Sequence, residues 1–430
     1  MLTSIKIEKL FDIFDYDIEF KEEGITILTG PNGYGKTTVL KILDALATQN
    51  GPFFIGLLFK KIVLEFSDRN VITLQKEDDN DVLIKTLGKS KTVHLNRKSF
   101  NSALQKILKD MPFLRPLDAD KWLDRRTDNI YNTETLLQKF LPIFPEFAAA
   151  IHAIGLPIIP EVYFIREQRL LLPVLSPRRR QFSSRPYMEE EVFDTFSKTI
   201  EEYAKELREN IRETLAKSSQ INQELDSSFP RRLFDQQQDI SEEEFKHRFD
   251  KVREIQKSLS EFELFDIKED SHPTYKPENA KALYVYIDDT EKKLAVFSDL
   301  LGKLKAFTGI LNERRFTFKR IDISKEDGFK FSTDLAKPLA LGDLSSGEQQ
   351  EVVLLYELLF KVKPGTLVLI DEPELSLHVV WQKQFLDDLF KIIELQKINI
   401  VVATHSPQII NNHWDLTVDL EELRDAALSK

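Results

Sequence analysis

The run Gly30-Pro31-Asn32-Gly33-Tyr34-Gly35-Lys36-Thr37-Thr38 places glycines, a lysine and two hydroxyls in one short stretch, and that combination is suited to holding a chain of phosphates. Glycines let backbone N–H groups converge on phosphate oxygens, and a helix starting at the lysine adds positive potential. Lys36 would reach the outer phosphates and the Thr37 hydroxyl would ligate Mg²⁺. A second chemical locus is Leu367-Val368-Leu369-Ile370-Asp371-Glu372, where two carboxylates end an apolar run. Open α/β sheets bind ligands at that end of a strand. Asp371 would hold the Mg²⁺ shell there, and Glu372 would position or deprotonate an attacking water. A third locus, Leu344-Ser345-Ser346-Gly347-Glu348-Gln349-Gln350, precedes a helical pattern, so Ser346 is suited to cap that helix and leave N–H groups for an anion. On residue types alone this is equally an ordinary helix start, and an apolar strand ending in Asp-Glu is common. The phosphate-binding pattern upstream gives the carboxylates their catalytic sense.

These segments, in this order, resemble those of ABC-type ATPases. Leu344 to Gln350 is similar to the ABC signature motif, Pro373-Glu374-Leu375-Ser376-Leu377-His378 looks like the D-loop, and Thr404-His405-Ser406-Pro407 looks like the switch histidine. The resemblance implies ATP and Mg²⁺ as cofactors and an ATP-hydrolysing site with Lys36, Glu372 and His405 as catalytic residues. It implies nucleotide contacts from Gly30, Pro31, Asn32, Gly33, Tyr34, Gly35, Lys36, Thr37 and Thr38, with Thr37 and Asp371 at the metal. Ser345, Ser346 and Gly347 would touch the γ-phosphate held by a second subunit, so that two heads sandwich two nucleotides in a homodimer or a higher oligomer of dimers. Phe164-Ile165-Arg166-Glu167-Gln168-Arg169 follows an apolar strand at the place of a Q-loop, which would bring Gln168 into the nucleotide, Mg²⁺ and water shell; Arg169 is a rival and a solvated loop the alternative.

The elements that must position these residues are legible as patterns. Ile25 to Leu28 is a short apolar strand, and Val39, Ile42, Leu43 and Leu46 mark one helical face, so the glycine-rich loop lies between strand and helix as it must. Leu367 to Ile370 and Ile398 to Val402 read as parallel strands buried on both faces. Phe14, Tyr16, Ile18 and Phe20 alternate with acidic residues, and short alternating runs from Ile62 to Leu95 predict an antiparallel meander. Residues 99–154 read as short helices separated by prolines. From Glu189 to about Lys217 the spacing of Phe196, Ile200, Tyr203, Leu207, Ile211 and Leu215 predicts a long amphipathic helix. Leu283, Ile287, Thr290, Leu294, Phe297, Leu301, Leu304, Thr308 and Leu311 keep a heptad step, and a third helix is expected from Ser241 to Phe262. Such helices would pair as an antiparallel arm of about 40 to 55 Å, or form a helical subdomain without a protruding arm. Strand patterns resume at Phe316, Phe318, Ile321 and Ile323, and at Phe329 to Phe331. The expected fold class is therefore α/β: an ABC-type P-loop ATPase head with an antiparallel β lobe and an inserted helical or coiled-coil arm. Its expected parts are 1–165, the N-terminal part of the head; 166–314, the insertion; 315–415, the C-terminal part of the head; and 416–430, a short tail.

Composition bounds the rest. With 430 residues, 42% hydrophobic, the chain can bury at least one full core. The absence of cysteine excludes disulfides and thiolate zinc sites, and together with the lack of any apolar run near the roughly 18 residues that span a bilayer it points to a cytoplasmic protein with no membrane partner. A net charge of −11 argues against a surface that coats nucleic acid everywhere. Ser176-Pro177-Arg178-Arg179-Arg180 with Arg185 is a small basic cluster that could contact phosphates, or a solvated loop.

Within the ABC-type ATPases, the opening, the phosphate loop and the DEPELSLH and THSP segments look like the SMC-related AAA ATPases of bacterial anti-phage systems, nearest to the Septu and retron-associated PtuA-like ATPases. That resemblance implies a sensor or scaffold that restrains a separately encoded nuclease or toxin effector, with DNA or a retron RNA/DNA as a further partner. The alternative is a RecF- or SMC-like repair or chromosome-maintenance ATPase that grips DNA itself; a transporter subunit is disfavoured by the inserted coil. A nuclease in the same chain is not expected, because nothing after His405 resembles an acidic metal-binding domain.

Overall fold

A computed structural model of the chain describes residues 1–78, 81–87, 91–96, 113–118, 121–125, 129–132, 159, 161–165, 188–266, 274–314, 316, 318–375, 377 and 379–428. The chain folds into two compact units, one of Met1–Glu167 with Val362–Lys430 and the other of Gln168–Lys361.

The first unit opens with β1 (Leu2–Leu10) and β2 (Phe14–Glu19), an antiparallel ribbon whose apolar alternation buries Ile5, Ile7, Tyr16 and Ile18. β3 (Ile25–Thr29) is buried along its whole length and leads through the glycine-rich loop into α1 (Lys36–Ala47), which turns Val39, Leu40, Ile42, Leu43 and Leu46 into the core. α2 (Gly51–Gly56) follows, with Asn50 capping its N-terminus. β4 (Lys61–Phe66), β5 (Val71–Asp78), β6 (Asp81–Leu87) and β7 (Lys91–Asn96) extend the ribbon into one antiparallel sheet of order β2-β1-β4-β5-β6-β7, the meander that the alternation predicts. β8 (Leu114–Asp118), β9 (Lys121–Asp124) and β10 (Asn129–Asn132) form a further three-stranded antiparallel sheet. Helices were expected in this stretch; where it is described it is extended, because Trp122 and Asp124 alternate into a buried face and Tyr131 pairs opposite Trp122.

β11 (Val162–Ile165) belongs to the first unit, and the second unit follows. Its α3 (Met188–Asp235) is longer than the periodicity suggested, continuing past Lys217 through an internal Pro230. Ile200, Tyr203, Ala204, Leu207, Ile211 and Ser218 are its buried stripe; beyond Ser218 no residue of the helix is fully buried, so the apolar signal fades while the helix goes on. α4 (Glu242–Glu261) starts at Ser241, whose side chain accepts a bond from the Glu244 N–H. The heptad seam from Leu283 to Leu311 is real, but a turn at Val296 and Phe297 divides it between α5 (Ala280–Ala295) and α6 (Ser298–Arg314). α3 runs antiparallel to α5: Asp226 pairs with Lys293, and further along α3 Arg232 pairs with the buried Asp289. Arg248 of α4 joins Glu291 of α5 at 2.6 Å.

The second unit continues with β12 (Lys319–Ser324), β13 (Gly328–Thr333) and β14 (Pro338–Leu339), then α7 (Ser346–Tyr356). Phe318 was expected inside the first of these strands, yet it lies in a turn, 74% exposed with φ 62°. Tyr203, Phe307, Phe329, Tyr356 and Phe360 make one aromatic cluster joining α3, α6, β13 and α7, with Tyr203 and Tyr356 stacked at 4.5 Å. This packing is why residues 318–361 share a unit with the long helices, whereas the sequence pattern grouped them with the C-terminal part of the head.

Back in the first unit, β15 (Leu367–Asp371), α8 (Val379–Gln382), α9 (Phe385–Gln396), β16 (Asn399–Ala403), α10 (Pro407–Ile410), β17 (Thr417–Asp419) and α11 (Leu420–Leu428) complete the chain. Its central sheet is entirely parallel, in the order β11-β15-β16-β3-β17. Asp371, Ala403 and Leu28 stand in register at its C-terminal edge.

Candidate active site

β3 delivers the loop of residues 30–35, and Gly35, at φ 84°, stands at the N-cap of α1 without a side chain capping the helix. The first N–H groups of α1 are therefore not taken by a capping side chain, as an anion-binding helix start needs. Lys36 is 5% exposed, and its ammonium donates to the carbonyl oxygens of Gly30 at 2.7 Å and Pro31 at 3.3 Å. A buried cation held on the loop's own backbone beside a helix start is suited to a phosphate. Beside it, the Thr37 hydroxyl donates to Asp371 Oδ1 at 3.0 Å. The sheet register accounts for this contact, since β16 alone separates the ends of β3 and β15.

Those two oxygens suit a hard cation. Among the described residues no group of three or more His, Cys, Asp or Glu could hold a metal by itself; Mg²⁺ is usually bound by one or two protein oxygens together with phosphates and water.

Glu372 follows Asp371 with φ 41°, a left-handed backbone in which a side chain is strained. Its N–H is held by the Ala403 carbonyl at 2.9 Å. Its Oε1 lies 3.8 Å from His405 Nδ1. His405 follows β16 with its side chain 47% exposed. Beneath it sits Glu374, which pattern reading placed only within a D-loop-like segment. Its carboxylate is 7% exposed, and Oε1 accepts from the Thr404 hydroxyl at 2.7 Å and the His405 N–H at 3.0 Å, and lies 3.2 Å from His405 Nδ1. Gln382 supports the same corner by donating to the carbonyls of Glu374 and Leu377 and accepting from the Ser406 hydroxyl. Glu374 thus joins the candidate site although pattern reading gave it no role of its own; its signal was its place two residues after Glu372, within the D-loop-like segment. Phe11, in the turn between β1 and β2, has an exposed ring beside Gly35.

Lys36, Thr37, Asp371, Glu372 and His405 are accordingly gathered at one edge of the parallel sheet. Ser345, Ser346 and Gly347 belong to the second unit. There the N-cap of α7 is Ser345 and not Ser346: the Ser345 hydroxyl accepts the Glu348 N–H, and Glu348 Oε2 accepts the Ser345 N–H at 2.7 Å. The reciprocal bonds need Ser and Glu three residues apart, and that spacing selects Ser345. Ser346 is exposed in the first turn beside Gly347. Lys319 pairs with Glu348 at 2.7 Å. The Glu348 carboxyl is pushed up by burial but more strongly down by Lys319 and the Ser345 N–H, leaving it below the ordinary carboxylate range. Gln168, its rival Arg169, Ser376, His378 and the basic cluster at 178–185 lie outside the described residues. A cavity of about 230 Å³ at the opposite end of the parallel sheet, lined by Gly24, Thr26, Leu367 and Asn399 among others, is remote from this chemistry.

A stretch of 61 residues, 13% of this chain, is 39% identical to the probable branched-chain amino acid transport ATP-binding protein LivF of Archaeoglobus fulgidus. The match spans about a quarter, 26%, of that relative's length. Solved structures similar to the chain include the Smc head domain with an extended coiled coil bound to the C-terminal domain of ScpA from Pyrococcus furiosus, at 14% identity and a TM-score of 0.34 over 95% of this chain and 90% of that one. The Smc head domain with a coiled coil and joint from Pyrococcus yayanosii matches at 11% identity and a TM-score of 0.34 over 99% of each chain. The family model described as "AAA domain, putative AbiEii toxin, Type IV TA system" matches residues 25–411, from β3 to the end of α10, and the chain belongs to that family of AAA-type ATPase domains.

Proposed function

We propose that the chain binds and hydrolyses ATP, closes as a nucleotide-sandwich dimer, and in that state controls a separately encoded nuclease or toxin in anti-phage defence. The observation that carries the reading is the Thr37–Asp371 hydrogen bond beside the buried Lys36 ammonium, because it joins a phosphate loop to a metal-binding carboxylate at one sheet edge. Bound Mg²⁺ would neutralise charge on the outer phosphates. Lys36 neutralises further charge there, Glu372 positions or deprotonates the attacking water, and His405 presents its ring to the γ-phosphate with Glu374 beside the imidazole. Phe11 offers the base an apolar face. Ser346 and Gly347, exposed or half-exposed at the start of α7, would complete the site of a second subunit, and Gln168 would join the water shell. A cytoplasmic setting fits the absence of cysteine and the finding that no helix among the described residues is long and apolar enough to cross a membrane.

Control of a toxin or nuclease rests on the resemblance of the DEPELSLH and THSP segments to those of PtuA-like ATPases, and the family's description, which names a "putative AbiEii toxin" of a toxin–antitoxin system, is consistent with a defence role. The test is Glu372→Gln, which should retain ATP binding, stop turnover and trap the closed dimer, seen as an ATP-dependent doubling of mass by light scattering. A chain already dimeric without ATP would show the same trap as ATP retention after gel filtration. Absence of both changes would sink the sandwich. A second reading, a RecF- or SMC-like ATPase that grips DNA directly, is favoured by the 48-residue α3 and its antiparallel partners. Salt-sensitive DNA binding by the isolated protein, with no effector present, would select it.

A further inference from the structure

Tyr34 occupies the middle of the phosphate loop between Gly33 at φ 88° and Gly35 at φ 84°. Two glycines at such angles give the loop its path and also leave it free to abandon it. Tyr34 is tied down on both its backbone and its side chain. Its carbonyl accepts the Tyr16 hydroxyl of β2 at 2.7 Å, and its ring packs against Phe14 with centroids 5.4 Å apart. Its own hydroxyl donates to Glu421 Oε1 at 3.1 Å and accepts from Arg424 Nη1 at 2.7 Å, while the Arg424 guanidinium lies 5.6 Å from the ring centroid. Desolvation, and then the bond to Glu421, push the Tyr34 phenol above its ordinary range, so the hydroxyl keeps the proton that it donates.

Glu421 and Arg424 lie on α11, in the short segment after His405 to which sequence patterns assigned no role. That helix is itself fixed to the strand that feeds the loop. Asp419 Oδ2 accepts the Thr29 hydroxyl at 2.9 Å, and its Oδ1 accepts the N–H groups of Glu421 and Glu422 at the start of α11. A Cβ added at Gly30, the first residue of the loop, would lie 3.5 Å from Leu420. α11 therefore touches the loop at its entrance and at its centre.

We propose that α11, through Glu421 and Arg424 on the Tyr34 hydroxyl, holds the phosphate loop in its binding shape and thereby sets the affinity for nucleotide. Arg424 is a positioning residue in this account, acting on phosphate through the loop backbone. The inference rests on reading residues 30–38 as the nucleotide's phosphate loop. Freed between two glycines, the loop must be ordered again each time a nucleotide binds. The loss expected is that of fixing about one backbone residue, on the order of five- to thirtyfold in affinity.

The experiment measures Mg·ADP binding by calorimetry, and backbone amide exchange of residues 32–35 without nucleotide, in the full chain and in Arg424→Ala, Tyr34→Phe, their double variant and Lys36→Ala. Positioning by α11 predicts a five- to thirtyfold weaker Kd in each of the first two, a double variant no weaker than the weaker single, faster exchange in the loop, and unchanged exchange in β15 and β16. Tyr34→Phe alters no charge, so its loss separates positioning from simple attraction between Arg424 and phosphate. Unchanged affinity in Arg424→Ala, a loss in Arg424→Ala but none in Tyr34→Phe, or additive losses in the double variant would overturn the proposal. Lys36→Ala tests the underlying reading separately. If it abolishes binding while Arg424→Ala binds as wild type does, the loop assignment stands and only the role of α11 falls; if it binds normally, both fall.

Discussion

One oxygen of Glu374 serves both ends of His405: Oε1 accepts the backbone N–H at 3.0 Å and lies 3.2 Å from the ring Nδ1. In the proposed site that carboxylate would orient the imidazole from its Nδ1 side and leave Nε2 for the γ-phosphate, the logic by which a carboxylate positions a catalytic ring. Glu374→Ala should lower kcat by on the order of tenfold to a hundredfold, below the roughly hundred- to ten-thousandfold of a group that itself transfers a proton, because it acts through His405. Nucleotide affinity should change little, because Lys36, Thr37 and Asp371 are untouched. The decisive measurement is the double variant with His405→Ala, whose loss should be close to that of the larger single, since the two residues act as one unit. Multiplying losses would show that Glu374 does not work through His405. Glu374 also satisfies the fully buried Thr404 hydroxyl, so Ala should cost about 1–3 kcal/mol of stability, and Glu374→Gln, which keeps an acceptor oxygen, should recover part of it.

Glu372 has its backbone in the left-handed region, at φ 41°. A residue with a side chain costs about 1–2 kcal/mol in that conformation, and glycine does not. Glu372→Gly and Glu372→Ala should both abolish hydrolysis, but Gly should be the more stable of the two by about 1 kcal/mol in chemical denaturation of the first unit. Equal stability would show that the strain is not present in solution. The comparison with Ala isolates the backbone, because both variants lose the same carboxylate.

Much of the head was legible because each of its signals is local. The glycines and Lys36 sit within one loop, and β3, β15 and β16 are short apolar runs. What escaped is long-range. Tyr34 and Arg424 are 390 residues apart, Thr404 and Glu374 are 30 apart, and no period in the sequence links either pair. The heptad seam was visible while its break at Val296 and Phe297 was not, since the turn preserves the apolar spacing that marks the seam. α3 was cut short for the opposite reason: past Ser218 it remains helical without a fully buried residue, so hydrophobic periodicity no longer reports it. The capping serine was displaced by one position because two serines are adjacent, and only Glu348 distinguishes them.

The Glu348 carboxyl carries a pH dependence whose sign follows from its lowered pKa. Burial is the largest single effect and opposes ionisation, but Lys319 and the bonds from Ser345 together outweigh it and hold the carboxylate ionised in the folded chain. A depressed carboxylate contributes stability that is fully present above its unfolded pKa and is lost as pH falls through the folded value. Glu348→Gln should therefore destabilise the second unit at pH 7, and the difference from wild type should shrink as pH drops below the ordinary carboxylate range. Denaturation midpoints of both proteins at neutral and acid pH measure this. A gap that widens on acidification would contradict the assignment.

Gly328 begins β13 at φ 82°, and a Cβ built there would lie 1.9 Å from the Ala204 carbonyl oxygen of α3. The obstacle is helix backbone, which has no rotamer by which to retreat. Gly365 offers the matched control: its φ is also 82°, but a Cβ there meets nothing within 4 Å. Gly365→Ala should cost only the backbone term, about 1 kcal/mol. Gly328→Ala should cost that and the overpacking term as well, about 2–4 kcal/mol in all. Hydrogen exchange locates the loss: protection should fall along residues 199–211 of α3 and in β12 and β13, while the amides of β3, β15 and β16 in the first unit keep theirs. Equal destabilisation by the two substitutions would mean that α3 does not press on the β12–β13 turn in solution, and that the tie between the long helix and the strands leading to α7 lies in the aromatic cluster around Tyr356 alone.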